Sequence, residues 1–268
     1  MTTYIDDPLD PAPPEILPGL LPRHGHLSLI AETNVGKTLV ALEILESVLS
    51  GRPLWGQLKP TDTYTRGTYI IGEYDENYIK QLWQKIRGTT PEKAIVLLPR
   101  LTLVTAGQLV VENFKRYKDL CAGSQVVVFD PLSAFVVGTD IENDASLTRA
   151  AITAMLEVAG NNSVIIPAHM GKPQYNPKDH AYFQRTSYAA RGSSSIEDTP
   201  MACFYLKKSE SSVFPNQLFY LKNRKVKFGG VDGYQLLRDD ETLRHTLVNS
   251  KVLAGLAGAR ARWGPTEE

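Results

Sequence analysis

This 268-residue sequence has only two cysteines, a formal net charge of zero and no long apolar run. The two cysteines, Cys121 and Cys203, are too few for a disulfide framework and wrongly spaced for a metal knuckle. The 29 basic and 29 acidic residues cancel, which excludes a uniformly basic nucleic-acid coat, so any such binding needs a local patch. No apolar run is long enough to suggest a membrane span, and the acidic first ten residues do not resemble a signal peptide. We therefore expect a protein of the reducing cytoplasm that has no membrane anchor.

The chain has the composition of a globular protein, with 43% hydrophobic and 22% charged residues. From His26 onward, apolar strands alternate with amphipathic helices, and this alternation predicts an α/β fold with a mostly parallel sheet flanked by helices. The predicted strands lie at 26–31, 68–72, 101–104, 124–129 and 163–168. The predicted helices lie at 37–50, 77–86, 108–120 and 145–159.

The alternation stops after His169. A polar and aromatic segment covers 171–190, and three strands at 201–207, 217–225 and 233–237, joined by polar turns, predict antiparallel additions near the C-terminus. Helical periodicity over 241–256 predicts a last helix. The predicted division is thus an α/β domain at 25–240, followed by a C-terminal helix and tail at 241–268.

The first 24 residues contain six prolines. Because proline restricts φ and removes an amide donor, this segment is predicted to be an extended N-terminal arm. It is either a loose terminus or an arm that lies on a neighbouring subunit. In the second case its anchors would be the apolar residues Ile16, Leu17, Leu20 and Leu21.

The strongest local motif lies between the first predicted strand and helix. A loop in this position directs backbone amides and a helix N-terminus at an anion, so it predicts a phosphate-binding loop. Gly36 would let the backbone approach the phosphates, Lys37 would reach the outer ones, and the Thr38 hydroxyl would bind Mg²⁺. The alternative is an ordinary strand-to-helix turn. The motif consists of Ala31, where glycine is usual, Glu32, Thr33, Asn34, Val35, Gly36, Lys37 and Thr38.

Two other buried strands end in polar side chains that would share this crevice. Asp130 would face the phosphate loop from the same edge of the sheet and hold Mg²⁺ through a water or through Thr38. His169 would contact the γ-phosphate and report its presence to the following loop. The alternatives are a turn-forming aspartate and a histidine that is merely packed.

Glu73 closes the second predicted strand and is a candidate to polarise an attacking water. It could instead be a solvated strand end or a helix cap. Asp75 and Glu76 are the competing carboxylates, although their positions are more typical of a helix start.

A basic segment follows this crevice in the sequence. Between positions 172 and 227, ten Lys or Arg residues face four Asp or Glu residues in an otherwise neutral chain. Cations that alternate with aromatic residues are typical of single-strand nucleic-acid binding, and the alternative is a solvated loop that packs on the body. The predicted nucleic-acid contacts are Lys172, Lys178, Arg185, Arg191, Tyr182 and Phe183.

Four motifs in this order resemble the RecA-like P-loop ATPase core, and most closely the hexameric replicative helicases of the RepA and DnaB type. They are the loop at 31–38, Glu73, the strand at 126–130 and the segment 169–172. The segment 191–198 is also similar to the stretch that follows the DNA-binding loop of these helicases. Lys222-Asn223-Arg224 is similar to their Lys-x-Arg pair.

The resemblance implies ATP hydrolysis at the subunit interfaces of a homo-oligomeric ring, a hexamer by this likeness, that moves along single-stranded DNA. It implies that residues 31–38 bind ATP, that Thr38 and Asp130 hold Mg²⁺, and that Glu73 is the catalytic base.

The resemblance also assigns roles to the remaining candidates. His169 would take the γ-phosphate sensor role, which glutamine often fills in this family. Arg224, with Lys222, would enter the neighbouring subunit's site, where a cation offsets the charge that develops on the transferred phosphoryl group.

We therefore expect a plasmid- or phage-type replicative DNA helicase. One alternative is a RecA-like recombination or loading ATPase that binds single-stranded DNA without unwinding a duplex. Another is a nucleotide-gated assembly or signalling module that ignores nucleic acid, against which the basic aromatic segment argues.

Overall fold

The structure is a computed structural model of the chain. It describes residues 15–88, 94–105, 108–137, 145–169, 174–176, 181–183, 196, 199–209, 218–226 and 233–248. Within these ranges, no helix is long and apolar enough to cross a membrane.

The described residues form short and long strands and four helices, numbered here in chain order. The helices are α1 (Lys37–Ser50), α2 (Glu76–Ile86), α3 (Val111–Cys121) and α4 (Ala145–Ala159), and a 3₁₀ turn covers Leu132–Phe135. The strands are β1 (Glu15–Leu17), β2 (Leu21–Pro22), β3 (His26–Ala31), β4 (Gly67–Ile71), β5 (Ile95–Leu98), β6 (Val104–Thr105), β7 (Gln108–Leu109), β8 (Val126–Asp130), β9 (Val136–Val137), β10 (Ser163–His169), β11 (Gln174–Asn176), β12 (Ala181–Phe183), β13 (Ala202–Lys208), β14 (Leu218–Val226), β15 (Gly233–Arg238) and β16 (His245–Leu247).

A nine-stranded sheet forms the centre of the fold, in the order β16-β15-β14-β13-β3-β10-β8-β4-β5. The six strands from β13 to β5 are parallel, whereas β14, β15 and β16 each pair antiparallel with the preceding neighbour. The predicted fold class, a mostly parallel sheet with antiparallel strands added near the C-terminus, is therefore confirmed.

Helices cover both faces of the sheet, and alternate residues of each central strand enter two separate cores. Leu27 and Leu29 of β3 pack in the core that holds α1 and α2, whereas Ile30 packs in the core that holds α3 and α4. Because both faces are covered, every residue of β3, β4 and β8 is buried, as is usual for parallel strands. Helix α1 is itself enclosed, with thirteen of its fourteen residues buried.

The periodicity predicted α1 and α4 with their observed bounds, and both predictions are confirmed. Gly51 ends α1 with φ 73°, and its backbone N–H donates to the Ser47 carbonyl. Glycine adopts this left-handed conformation without strain, so the helix stops there. The strands predicted around β3, β4, β8, β10, β13, β14 and β15 are confirmed within one or two residues.

The prediction between the second and third helices is wrong in part. One edge strand of the central sheet is β5, which was not predicted from the sequence. The strand expected at 101–104 is reduced to the two residues of β6, which lies in a separate small sheet. Helix α3 starts at Val111, because Gln108 and Leu109 instead pair with β6 as a short strand.

The helix predicted at 241–256 is wrong over its described part. A turn follows Arg238, and β16 pairs antiparallel with β15 and extends the sheet. The turn forms because the Asp239 carboxylate accepts hydrogen bonds from the Glu241 and Thr242 backbone N–H groups, which competes with helix formation. Residues 249–268 lie outside the described part.

Residues 15–22 of the predicted N-terminal arm pack on the body of their own chain, so the alternative in which its apolar residues lie on a neighbouring subunit is wrong. β1 and β2 form a small antiparallel pair, and the Thr61 backbone N–H donates to the Ile16 carbonyl. Their apolar side chains join the α1 core, where burial removes them from water. The buried residues are Ile16, Leu17, Leu20 and Leu21.

Candidate functional site

Four adjacent parallel strands end at one edge of the sheet and bring the predicted site residues together. β10 lies between β3 and β8, and β4 flanks β8. His169 is in register with Ala31, and Asp130 is in register with Ile71. The polar residues that end or follow these strands therefore meet in one crevice, as the sequence predicted.

The loop before α1 has the geometry of an anion cradle. Gly36 has φ 105°, a conformation that L side chains rarely adopt, and, apart from its neighbours in the chain, no described residue lies within 4 Å of the position that a Cβ would take. Among the described side chains, none caps the start of α1. The first backbone N–H groups of the helix and the positive end of its dipole are thus available to phosphate oxygens, so the predicted loop fits a phosphate ligand.

Lys37 is held at the mouth of this loop by three acceptors. Its Nζ lies 3.2 Å from the Ala31 carbonyl oxygen, 3.0 Å from the Glu32 carbonyl oxygen and 3.3 Å from His169 Nδ1. Because an ammonium can only donate, Nδ1 of His169 must accept, which leaves the proton of the neutral imidazole on Nε2.

His169 connects Lys37 to Glu73. Its Nε2 lies 3.1 Å from Glu73 Oε1, so the N–H of this tautomer donates to the carboxylate. The His169 side chain is 13% exposed and that of Glu73 is 43% exposed, so the histidine is enclosed and the carboxylate remains accessible to water. A continuous chain of contacts therefore links the phosphate loop to the candidate base.

Asp130 is buried beside the phosphate loop. The Thr38 hydroxyl donates to Asp130 Oδ2 at 2.6 Å, and the Tyr69 hydroxyl donates to the same oxygen. Burial raises the pKa of Asp130 above its usual range, opposed by these two hydrogen bonds and by the nearby Lys37 charge. Burial, together with the Asp130 charge, also raises the pKa of Tyr69, which stays a donor.

The donor set at Asp130 fits a magnesium ion that keeps water and phosphate ligands. Within the described ranges, no group of three or more His, Cys, Asp or Glu residues could form a cage for a metal ion. Mg²⁺ commonly binds through one or two protein oxygens and completes its shell with phosphates and water. Thr38 and Asp130, which already touch, could supply those two oxygens.

The carboxylates that compete with Glu73 have other partners. Asp75 caps α2 by accepting a hydrogen bond from the Asn77 backbone N–H at 2.8 Å. Glu76 forms an ion pair with Lys80 one helical turn later. Of these three carboxylates, Glu73 is therefore the one that joins the cleft, although its role as a base stays a prediction.

These residues line a cleft of about 270 Å³ above the start of α1. Sequence reasoning missed several residues of this site, among them Tyr74, Tyr78, Arg238 and Leu243 in the lining and Tyr69, which donates to Asp130. Tyr69 was detectable from the sequence, because it lies two residues before the end of β4 and therefore on the same sheet face as Ile71, the register partner of Asp130. Arg238 and Leu243 were not, because they come from β15 and the turn after it, on the other side of β3 in the strand order. The cleft is lined by Thr33, Asn34, Gly36, Lys37, Thr38, Leu39, Glu73, Tyr74, Tyr78, Leu82, Asp130, Pro131, His169, Arg238 and Leu243.

The predicted nucleic-acid contacts follow β10 in the sequence. Lys172, Lys178, Arg185 and Arg191 lie outside the described residues. The backbone of Tyr182 and Phe183 forms β12, which pairs antiparallel with β11, but their side chains are outside the described part.

The backbone of the Lys-x-Arg pair lies on β14. The pairing of β13 with β14 shifts between Cys203 and Phe204, where Lys225 and Asn223 are their respective partners. Arg224 is therefore the extra residue of a bulge. Cys203 and Phe204 are in turn in register with Ser28 and Leu29, so Arg224 is level with the middle of β3 and not with the edge that carries the cleft.

Comparisons with known proteins agree with this architecture. A family model described as an AAA domain matches residues 5–175. A KaiC-like protein, PH0186, from the hyperthermophilic archaeon Pyrococcus horikoshii OT3 is similar in structure, with 14% sequence identity and a TM-score of 0.54 over 87% of this chain and 94% of that one. A second solved structure, the ATPase domain of another protein, is also similar, with 15% identity and a TM-score of 0.55 over 85% of this chain and 86% of that one. No curated protein matches the chain by sequence. The two structural matches confirm the predicted RecA-like fold.

Proposed function

Because the chain belongs to the AAA domain family and has the RecA-like P-loop ATPase fold, we propose that it hydrolyses ATP as a ring-forming motor on single-stranded DNA. The observation that carries the proposal is the convergence of four strand ends on one cleft. An ammonium, a hydroxyl, two carboxylates and an imidazole meet there around an anion-binding loop.

The proposed chemistry assigns each of these groups a task. Lys37 turns from the backbone carbonyls to the outer phosphates of ATP, and Thr38 with Asp130 holds Mg²⁺. When bound, Mg²⁺ neutralises charge that develops on the phosphate oxygens. Glu73, accessible to water, orients the attacking water and accepts its proton.

His169 couples these events. When Lys37 turns to the phosphates, His169 Nδ1 loses its donor while Nε2 still contacts Glu73. The imidazole therefore responds to the occupant of the γ-phosphate position and transmits the change to the base. The segment after β10, which carries the basic and aromatic residues, begins directly at this histidine.

Two features support a ring that acts on single-stranded DNA. The positive balance of residues 172–227 suits a phosphate backbone, and its aromatic residues suit unpaired bases. The backbone position of Arg224, level with the middle of β3 and away from the strand ends that form its own cleft, favours action on a neighbouring subunit. We accordingly propose a homo-oligomer, a hexamer by family resemblance, with Lys222 and Arg224 as trans-acting cations.

The decisive experiment measures ATP hydrolysis with and without a single-stranded oligonucleotide. Lys37→Ala should abolish hydrolysis, whereas Lys118→Ala, at an exposed lysine of α3, should leave it unchanged. Arg224→Ala should keep nucleotide binding and lose about 10³-fold or more in turnover. Normal turnover by Arg224→Ala in the presence of single-stranded DNA would contradict the trans assignment.

Mixing two inactive variants tests the shared site directly. If the finger acts in trans, equal amounts of Lys37→Ala and Arg224→Ala subunits form rings in which about one interface in four has both groups intact. Activity should then return to roughly that fraction of the wild-type level. No recovery after subunit exchange, verified by mass measurement, would contradict a shared site.

A second candidate function is a RecA-like loading or recombination ATPase that binds single-stranded DNA without unwinding. The fold shared with the two solved structures favours this candidate equally, because the fold is that of an ATPase core and does not say whether hydrolysis drives unwinding or loading. A strand-displacement assay on a forked duplex distinguishes the two. ATP-dependent displacement supports the helicase, and DNA-stimulated hydrolysis without displacement supports the loader.

A further inference from the structure

In the strand order of the sheet, Arg238 on β15 lies on the other side of β3 from His169, Asp130 and Glu73, and it approaches the cleft from there. β15 is antiparallel to β14, which is antiparallel to β13, and β13 is parallel to β3. β15 therefore runs in the same direction as β3, and Arg238 at its end lies at the edge that carries the phosphate loop.

The face of β15 also directs Arg238 towards α1. Side chains alternate along a strand, so Tyr234, Leu236 and Arg238 share one face. Tyr234 and Leu236 are buried in the core that contains α1. Arg238 continues this row beyond the core, and it lines the cleft together with Leu39 in the first turn of α1.

The guanidinium of Arg238 is held in place by its neighbours. Its Cζ lies 5.3 Å from the centroid of the Phe219 ring, and its Nη2 donates to Asp240 Oδ1 at 3.2 Å. The side chain is 24% exposed. An arginine supported on an aromatic face and by a carboxylate is oriented before a ligand arrives, so less rotamer freedom is lost on binding.

The turn that follows Arg238 is also built into the cleft. Leu243 lines the cleft with φ 60°, a left-handed conformation that a leucine rarely adopts. The turn is anchored at both ends. Asp239 accepts from the Thr242 backbone N–H at 2.7 Å, and the His245 backbone N–H donates to the buried carboxylate of Glu43 on α1 at 2.6 Å.

The cleft has two chemically different ends. Asp130, Glu73 and His169 lie on β8, β4 and β10, or directly after them, on one side of β3, and they define the end where the γ-phosphate reacts. Arg238 and Leu243 lie on the other side of β3, beyond the start of α1. From this polarity we propose that Arg238 binds the base and ribose of a nucleotide held in its own subunit, with Leu243 as an apolar wall. The inference rests on the proposed binding of ATP in this cleft.

The chemistry of the two side chains suits a nucleoside. A guanidinium stacks on the flat face of an aromatic base and can donate hydrogen bonds to ribose oxygens, while a leucine side chain packs against the base. The proposed contact is therefore made in cis and concerns binding. It differs in this from the proposed trans role of Arg224, which concerns turnover.

The test compares two ligands that share a diphosphate chain, one with a nucleoside and one without. Isothermal titration with ADP and with inorganic pyrophosphate, both in Mg²⁺, is carried out on the full chain. Arg238→Ala should bind ADP about five- to thirtyfold more weakly, the range of a desolvated cation–π contact, and should bind pyrophosphate as the wild type does. Arg116→Ala, an exposed arginine on α3, is the matched control and should change neither affinity.

The other outcomes separate this inference from the proposed function. An equal loss for both ligands would make Arg238 a phosphate contact, and no loss for either would remove it from the site; each result overturns the inference and leaves ATP binding intact. Lys37→Ala should weaken both ligands, and a wild-type chain that binds neither would overturn the proposed function as well. If Arg238→Ala does not fold, Arg238→Lys, which keeps the charge and loses the flat guanidinium, should show the same selective loss for ADP, and its absence would overturn the inference.

Discussion

Replacing Glu43 by alanine should destabilise the protein far more than the same change at Glu46, one turn further along α1. Glu43 is a buried carboxylate that accepts three hydrogen bonds, from Trp55 Nε1 at 3.2 Å, from the His245 backbone N–H at 2.6 Å and from His245 Nδ1 at 2.8 Å. Glu43→Ala leaves all three donors buried and unpaired. Each unpaired group costs about 1–3 kcal/mol, and relaxation reduces the sum, so we expect a loss of about 3–5 kcal/mol.

Glu46 provides the matched control because it is as buried as Glu43 but has more exposed partners. Its Oε1 lies 3.5 Å from Arg52 Nη1 and 3.8 Å from Arg244 Nη2, and these two side chains are 42% and 29% exposed. Water can therefore solvate both arginines in Glu46→Ala. We expect this variant to lose only about 1 kcal/mol.

Urea denaturation followed by circular dichroism measures both losses. In a chain of this size each kcal/mol corresponds to about 2–4 °C in Tm, so Glu43→Ala should also melt roughly 6–20 °C lower. Equal losses for the two variants, or a loss below about 1 kcal/mol for Glu43→Ala, would refute the argument that this carboxylate anchors the last strand to α1. Since the anchored turn carries Leu243, the folded Glu43→Ala protein should also bind ADP more weakly than Glu46→Ala.

Three further predictions concern the cleft and the cores. Burial raises the pKa of Asp130, so ionisation of this carboxyl destabilises the nucleotide-free fold as pH rises through that pKa. At neutral pH, Asp130→Asn should therefore melt no lower than the wild type in scanning fluorimetry. The same variant should lose Mg²⁺-dependent ATP binding in titrations. As pH falls, the wild type should begin to lose Mg²⁺ binding at a higher pH than an aspartate with an ordinary pKa would, and the variant should lack this pH dependence. A lower melting point for Asp130→Asn would contradict the argument that the Asp130 charge destabilises the nucleotide-free fold. His169→Ala should keep ATP binding and lose turnover by about 10-fold or more, because Glu73 loses the donor at 3.1 Å, and unchanged turnover would exclude the coupling role. Cys121 and Cys203 are buried, and burial raises the pKa of the Cys121 thiol to about 12, so a thiol reagent at pH 8 should label them only at the rate of unfolding; rapid labelling of the folded protein would contradict their burial.

The elements that could be predicted from the sequence are those that local periodicity and end signals specify together. Helix α1 combines an apolar pattern with Gly51 at its end, and α4 is a single uninterrupted pattern. The convergence of the four strand ends was predictable as well, because parallel neighbours necessarily place their carboxyl ends at one edge.

The elements that were missed depend on contacts between distant segments. The helical pattern over 241–256 yields to the Asp239 turn and to the pairing of β16 with β15, which Glu43 on α1 stabilises. Arg238 could have been identified only with the direction of β15 in hand, because that direction follows from two successive antiparallel pairings. Local propensity contains no information on either.

The enclosure of α1 limits how this protein can respond to a ligand. A helix that is packed on every side has no room to tilt, since interiors are as dense as crystals and any shift would open cavities. The phosphate loop is therefore a fixed reference frame, and structural change on nucleotide turnover has to be carried by the parts at its margins. Among the described residues, these are the side chains of α2 that are open to solvent, such as Tyr78 in the cleft wall. A movement of α2 can therefore carry a change in the cleft to the outer surface while α1 stays in place.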